Sequence, residues 1–168
     1  YRIWSPGRIF FEIFLLFNLL FNKDLREILK KSDIIHGFGY FTPKVTWLLS
    51  KIYKKPNIIT VYEFIGKRWL KISGKLNGTL NYFYEKSIFF LRYDKIITIS
   101  FSTKKDIVSE TKNAQKVEVI YPFLDFTLFS PQKEKNKRGD IEFINFGRPG
   151  ITKGIPILIK SFDKFNKK

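Results

Sequence analysis

The chain has 168 residues, enough for one domain of ordinary size and short for two. Its 31 Lys and Arg against 15 Asp and Glu leave a formal charge of +16, and the 44% hydrophobic content excludes a disordered tail. The absence of cysteine excludes a disulfide scaffold and a thiolate zinc site, and the single histidine, His36, excludes a histidine metal cluster.

Ser5-Pro6-Gly7 reads as a helix start, with Ser5 as N-cap and Pro6 in the first turn. The helix is expected to run to about Lys30, because a polar stripe at Asn18, Asn22, Arg26 and Lys30 recurs at a spacing of four. Its first half is apolar nearly all round, which fits a buried helix or one pressed on a membrane surface. A short strand, Asp33 to His36, comes next and is ended by Gly37 and Gly39. Thr42-Pro43 opens a helix through about Tyr53, and Asn57 to Tyr62 is a β-branched run of strand length. Gly66 to Gly78 reads as a basic connection punctuated by glycine. Asn81 to Arg92 reads as a helix and Lys95 to Ile99 as a strand. Thr103 to about Lys112 reads as a helix with Thr103 and Asp106 at capping-box spacing, and Val117 to Ile120 as a short strand.

This alternation predicts an α/β fold, a Rossmann-like parallel sheet of βαβ units with helices on both faces. The rhythm breaks at Tyr121-Pro122, and Lys133 to Arg138 is the clearest linker. A fresh strand, Ile141 to Phe146, and a helix from about Gly154 to Phe165 read as the first βα unit of a second domain. One strand and one helix cannot bury a core alone. The expected division is residues 1–121, a linker at 122–139, and the start of another domain at 140–168. With no methionine and Tyr1 at its start, the chain reads as an interior piece or a processed product.

The longest greasy run, Ile9 to Phe21, is 13 residues interrupted by Glu12 and Asn18. A spanning helix needs about 20 apolar residues, so no transmembrane span is expected. No signal peptide is visible, and a reducing cytoplasmic setting is expected. The positive charge suits a nucleic-acid or anionic-membrane partner, or is compositional in a Lys-, Ile-, Phe- and Asn-rich chain with one alanine, Ala114; in either case its field attracts acidic surfaces.

Three stretches are candidates for chemistry. Gly147-Arg148-Pro149-Gly150-Ile151-Thr152-Lys153-Gly154 lies between a predicted strand and a helix N-terminus. Free N–H groups and the helix dipole favour an anion there, Arg148 can fork onto phosphate oxygens, and Lys153 adds a point charge. An ordinary turn with two surface cations fits the same residues, and the Walker A order is absent. The second candidate is the carboxyl ends of the strands, where parallel sheets bind ligands. His36, Tyr62 with Glu63, and Ser100 with Ser102 and Thr103 fall there. Glu63 offers a general base or a hydroxyl ligand; alternatively it caps or pairs with Arg68. The third is Lys67 to Lys75, where Arg68, Trp69 and Lys71 suit a membrane interface or single-stranded nucleic acid, or form a solvated loop with Trp69 turned inward.

In their order and spacing these features resemble the family-4 glycosyltransferases of GT-B fold, over nearly the whole chain. Asp33-Ile34-Ile35-His36 resembles one family strand and Thr60-Val61-Tyr62-Glu63 the end of the next. Asp94 to Ser100 with Thr103-Lys104 is similar to a third strand and its helix. Val117 to Pro122 with Asp125 and Phe129-Ser130-Pro131 resembles the crossing into the linker. Phe146-Gly147-Arg148 with Lys153-Gly154 resembles the opening of the sugar-nucleotide-binding domain. Tyr62 stands where the family usually has histidine, and Phe123-Leu124 where it has Asn-Gly. The family's N-terminal glycine-rich loop and its paired glutamates have no counterpart in this stretch.

The resemblance implies a retaining transferase that moves a sugar from a nucleotide-diphosphate donor to an acceptor hydroxyl without a bound metal or other cofactor. By motif, the donor diphosphate falls to Gly147, Arg148 and Lys153. The reacting sugar falls to Tyr62 and Glu63, with His36 and Ser100 on the acceptor side. Residues 1–121 then read as a partial acceptor-side domain and 140–168 as the start of the donor domain, a piece expected to be inactive alone. The expected partners are a nucleotide sugar and an anionic membrane surface or lipid-linked acceptor at the inner membrane face, with no nucleic acid. The alternative is a non-catalytic basic module that binds anionic membrane or nucleic acid.

Overall fold

In the computed structural model, which describes residues 7–111, 116–130, 143–147 and 153–166, the first helical stretch is two helices and not one. Helix α1 spans Gly7–Phe21 and α2 spans Lys23–Lys31. Asn22 breaks them: its backbone is extended (φ −74°, ψ 121°), and its side-chain oxygen accepts from the N–H groups of Asp24 (3.0 Å) and Leu25 (3.2 Å). The stripe of four concealed a cap, because an asparagine amide offers the backbone a partner that ends one helix and starts the next. The expected cap at Ser5 and Pro6 lies outside the described residues.

Strand β1 is Ile35–Phe38, two residues later than the pattern predicts. Ladder bonding begins where Ile35 N–H reaches Pro56 C=O at 3.0 Å. Gly37 does not end the strand; it sits inside it, because a Cβ there would collide with Thr46. Helix α3 (Pro43–Tyr53) and strand β2 (Asn57–Val61) come next, as expected. The basic connection is largely ordered: a 3-10 turn at Gly66–Arg68, α4 at Trp69–Ile72, and the start of α5 (Lys75–Phe89). Gly78 is not a breaker. A Cβ there would strike the backbone of Trp69 and Leu70, so glycine is what lets α4 and α5 approach.

Strand β3 is Lys95–Thr98, α6 is Phe101–Glu110 and β4 is Val117–Val119. The cap of α6 is Ser100 and not Thr103: Ser100 Oγ accepts from Thr103 N–H at 3.2 Å. Asp106, the other half of the expected capping box, pairs instead with Arg68 (2.6 Å).

The four strands form one parallel sheet in the order β1-β2-β3-β4, a Rossmann-like α/β arrangement. Every crossover advances one place in the same direction. Right-handed connections that never reverse put their helices on a single face. Burial agrees: Ile35, Ile59, Val61, Ile96 and Val117 share that face by register and are buried. The other face carries His36, Phe38, Ile58, Ile97 and the exposed Lys95–Glu118 ion pair. The expectation of helices on both faces is therefore corrected.

The core cluster joins Ile59, Val61, Ile96 and Val117 of the sheet to Ile88 and Phe89 of α5 and Ile107 of α6. A second cluster, Ile35, Val45 and Leu49, is closed by leucines of α1 and α2. At the amino ends of the strands, Asn57 holds three elements. Its N–H donates to Asp94 (2.8 Å) and its side-chain amide donates to Ser50 of α3 (2.7 Å).

The chain divides into two compact units, Tyr1–Leu124 and Asp125–Lys168. In the second, α7 is Ile155–Asn166, and Phe143 sets its ring edge-on against Phe162 (5.6 Å) and Phe165 (6.4 Å). Residues 143–146 of the expected strand are not in a strand, since no neighbouring strand is present among the described residues of this unit. Ile141 and the Lys133–Arg138 linker lie outside the described residues.

Candidate active site

Strand β2 delivers its last residue, Val61, into the core and then releases the chain at Tyr62 and Glu63. Tyr62 is 51% exposed, and Glu63 is exposed as well. The Glu63 carboxylate has no hydrogen bond or ion pair among the described residues; the expected pairing with Arg68 is not made, because Arg68 turns to Asp106. Its main chain is fixed all the same. The Tyr40 hydroxyl lies 2.9 Å from Glu63 C=O and 2.7 Å from Glu85 Oε1, and its one proton is shared between these acceptors.

Glu85, on α5, is 1% exposed and gathers donors from several elements. Oε1 also accepts from Ile65 N–H (2.9 Å), while Oε2 accepts from Gly66 N–H (2.7 Å) and Trp69 Nε1 (3.0 Å). Burial pushes the Glu85 carboxyl above its ordinary value, and these donors pull it part of the way back. One carboxyl thus ties the loop after β1, the loop after β2 and α4 to a single point. Trp69 is 3% exposed, turned inward, so it is not part of any surface with its basic neighbours.

His36 falls inside β1 and not at its end, a consequence of the shifted strand. Its ring stacks on Phe38 (4.1 Å), and Nε2 lies 2.8 Å from Thr60 Oγ1 on β2. Partial burial lowers its pKa by disfavouring the charged imidazolium. Ser100 stands at the end of β3, with its hydroxyl committed to the start of α6. Gly147 and Lys153 meet in the second unit: the Lys153 Cδ lies 3.6 Å from the position a Gly147 Cβ would take. Arg148 lies outside the described residues.

The structure therefore brings Tyr62 and Glu63 together with Tyr40 and Glu85, two residues that sequence reasoning missed. A signal for Glu85 existed. Gly78, Asn81, Glu85, Ile88 and Phe89 fall at helical spacing and form the buried face of α5, so an acid on that stripe marks a carboxyl with work to do. A cavity of about 590 Å³ lies elsewhere, walled by Phe89, Phe90 and Arg92 before β3 and by Thr111 after α6. None of the residues singled out from sequence lines it.

A family model described as Glycosyltransferase Family 4 matches residues 3–128. The chain belongs to glycosyltransferase family 4. The match includes His36, Tyr62, Glu63 and Ser100 and stops before Gly147. No curated protein matches the chain. Family-4 membership points to glycosyl transfer, with a sugar donor and an acceptor, in general.

Proposed function

We propose that this family-4 chain carries the acceptor-side wall of a retaining glycosyltransferase. It uses a nucleotide-diphosphate sugar and delivers the sugar to a hydroxyl of a lipid-linked or polysaccharide precursor at the cytoplasmic membrane face. The observation that carries the reading is Glu63. It is a carboxylate free of partners among the described residues, just past a strand of a parallel sheet, on a backbone pinned through Tyr40 to a buried anchor.

In this reading, the bond between the anomeric carbon and the diphosphate oxygen breaks, a bond to the acceptor oxygen forms on the same face, and the acceptor hydroxyl's proton passes to the departing diphosphate. Arg148 and Lys153 neutralise the charge that collects on the leaving diphosphate. Glu63 accepts a hydrogen bond from a hydroxyl at the reacting sugar and holds it in place. Tyr62, which stands where the family usually has histidine, donates a hydrogen bond beside it. Residues 1–121 serve the acceptor and residues 140–168 open the donor-binding half. No metal is required of these residues.

The test uses the intact protein with radiolabelled UDP- and GDP-sugars, the product anomer being read by NMR. Arg148→Ala with Lys153→Ala is expected to weaken UDP binding by roughly tenfold or more. Glu63→Gln is expected to leave UDP binding unchanged and to lower kcat by about 100-fold. Parental transfer rates in the double variant would remove the donor-site assignment, and an inverted product would remove retention.

A further inference from the structure

The Tyr40 hydroxyl has two oxygen neighbours and one proton. Its oxygen lies 2.7 Å from Glu85 Oε1 and 2.9 Å from Glu63 C=O. Both are hydrogen-bond distances, so each contact needs a proton of its own to be a full bond. The Glu63 carbonyl has none to give. Of the three groups, only the Glu85 carboxyl can supply the second, by donating from a protonated Oε1 to Tyr40 while Tyr40 donates to Glu63 C=O. We propose that Tyr40 and Glu85 are positioning residues for the loop that carries Tyr62 and Glu63, joined to it by a chain of two hydrogen bonds that runs from Glu85 through Tyr40 to the Glu63 carbonyl.

The other bonds of Glu85 fit a carboxyl with a proton on Oε1. That oxygen still accepts from Ile65 N–H (2.9 Å), and Oε2 accepts from Gly66 N–H (2.7 Å) and Trp69 Nε1 (3.0 Å). The charged and titratable groups around it are committed elsewhere. Arg68, in the turn before α4, goes to Asp106 (2.6 Å), and Lys86, next along α5, donates to the Tyr82 hydroxyl (3.0 Å). Tyr84 donates to Glu12 of α1, and from α6 it is another carboxylate, Glu110, that stands against Gly66. No cation pairs with Glu85 among the described residues. A carboxyl 1% exposed without a cation beside it is favoured in its neutral form, and burial raises its pKa accordingly.

Ionisation reverses the direction of the chain. The carboxylate is a stronger acceptor than a carbonyl and takes the Tyr40 proton, so each of its oxygens then accepts two donors and Glu63 C=O is left to solvent. The hold on residue 63 is present below the Glu85 midpoint and lost as pH rises through it. This hold is a property of the fold; its bearing on transfer rests on the role given to Glu63 above.

The test follows carbon-13 shifts by NMR in the full 168-residue chain from about pH 4 to 8. Glu63→Gln is present throughout, so that residue 63 has no titration of its own. The Glu85 carboxyl carbon and the main-chain carbonyl carbon of residue 63 are expected to move with one midpoint, above about 4.3. Adding Tyr40→Phe is expected to leave Glu85 titrating and to abolish the movement at residue 63. A carbonyl that does not move with Glu85, or a Glu85 midpoint at or below about 4.3, would overturn the proposal without need of the Tyr40 variant. A carbonyl that still moves with Glu85 after Tyr40→Phe would overturn it as well. In the intact protein, Tyr40→Phe alone is expected to lower kcat by about tenfold at unchanged UDP binding. A parental kcat beside a lost carbonyl response would overturn the role given to Glu63 and leave the hydrogen-bond chain standing.

Discussion

Asn81 is 1% exposed on α5, and both polar atoms of its amide are without a partner among the described residues. Burying an amide unpaired costs free energy that an apolar group of similar size does not. Asn81→Leu is therefore expected to raise stability by about 1 kcal/mol, read as a higher urea midpoint at unchanged slope. A loss of that size would place a bridging group on the amide. Sequence reading foresaw neither this orphan nor the anchor at Glu85, though it did single out Tyr62 and Glu63. The difference is physical. Tyr62 and Glu63 come directly after a β-branched strand and are marked by position along the chain. Asn81 and Glu85 are marked only by which face of a helix they occupy, and an α5 read as starting at Asn81 hides the Gly78 end of that face.

At the scale of elements, the loop after β2 is held by one side chain on a distant helix. Glu85→Gln places an amide N–H where Gly66 or Trp69 already donates, and a donor left unpaired costs about 1–3 kcal/mol. The variant also removes a titration. Because the folded chain holds the Glu85 proton to higher pH than the unfolded chain, this group favours folding most below the ordinary carboxylate range. Its contribution falls as pH rises through that range and up to the raised value. Urea midpoints taken from about pH 4 to 8 are expected to lose this downward component in the variant. Equal pH dependence in the two proteins would remove Glu85 as the titrating group. The same scale shows what patterning catches and what it does not. Strands β2 and β3 and helix α3 were legible because β-branched runs and a proline start are local signals. The break at Asn22 and the cap at Ser100 were not, since each depends on which of several polar residues folds back on its own backbone.

Across the whole molecule, the charge is unbalanced. Three ion pairs among the described residues, Lys30–Glu27, Arg68–Asp106 and Lys95–Glu118, join exposed side chains, and such pairs stabilise weakly. A net +16 then opposes compaction. Raising NaCl from about 50 mM to about 0.5 M is expected to increase the urea midpoint by screening that repulsion; a fall would mean that attractive pairs dominate. The α/β class and its parallel strands were legible from alternation alone. The one-sided placement of the helices was not, because strand order is a property of the sheet and not of any single element. That order has a consequence for how the fold is acquired. Each strand pairs with the one before it, as Ile35 does with Asn57 and Ile96 with Val117, so no early strand waits for a late one to insert beside it. A growing chain can add one βα unit at a time as it leaves the ribosome, each new strand finding its template already in place.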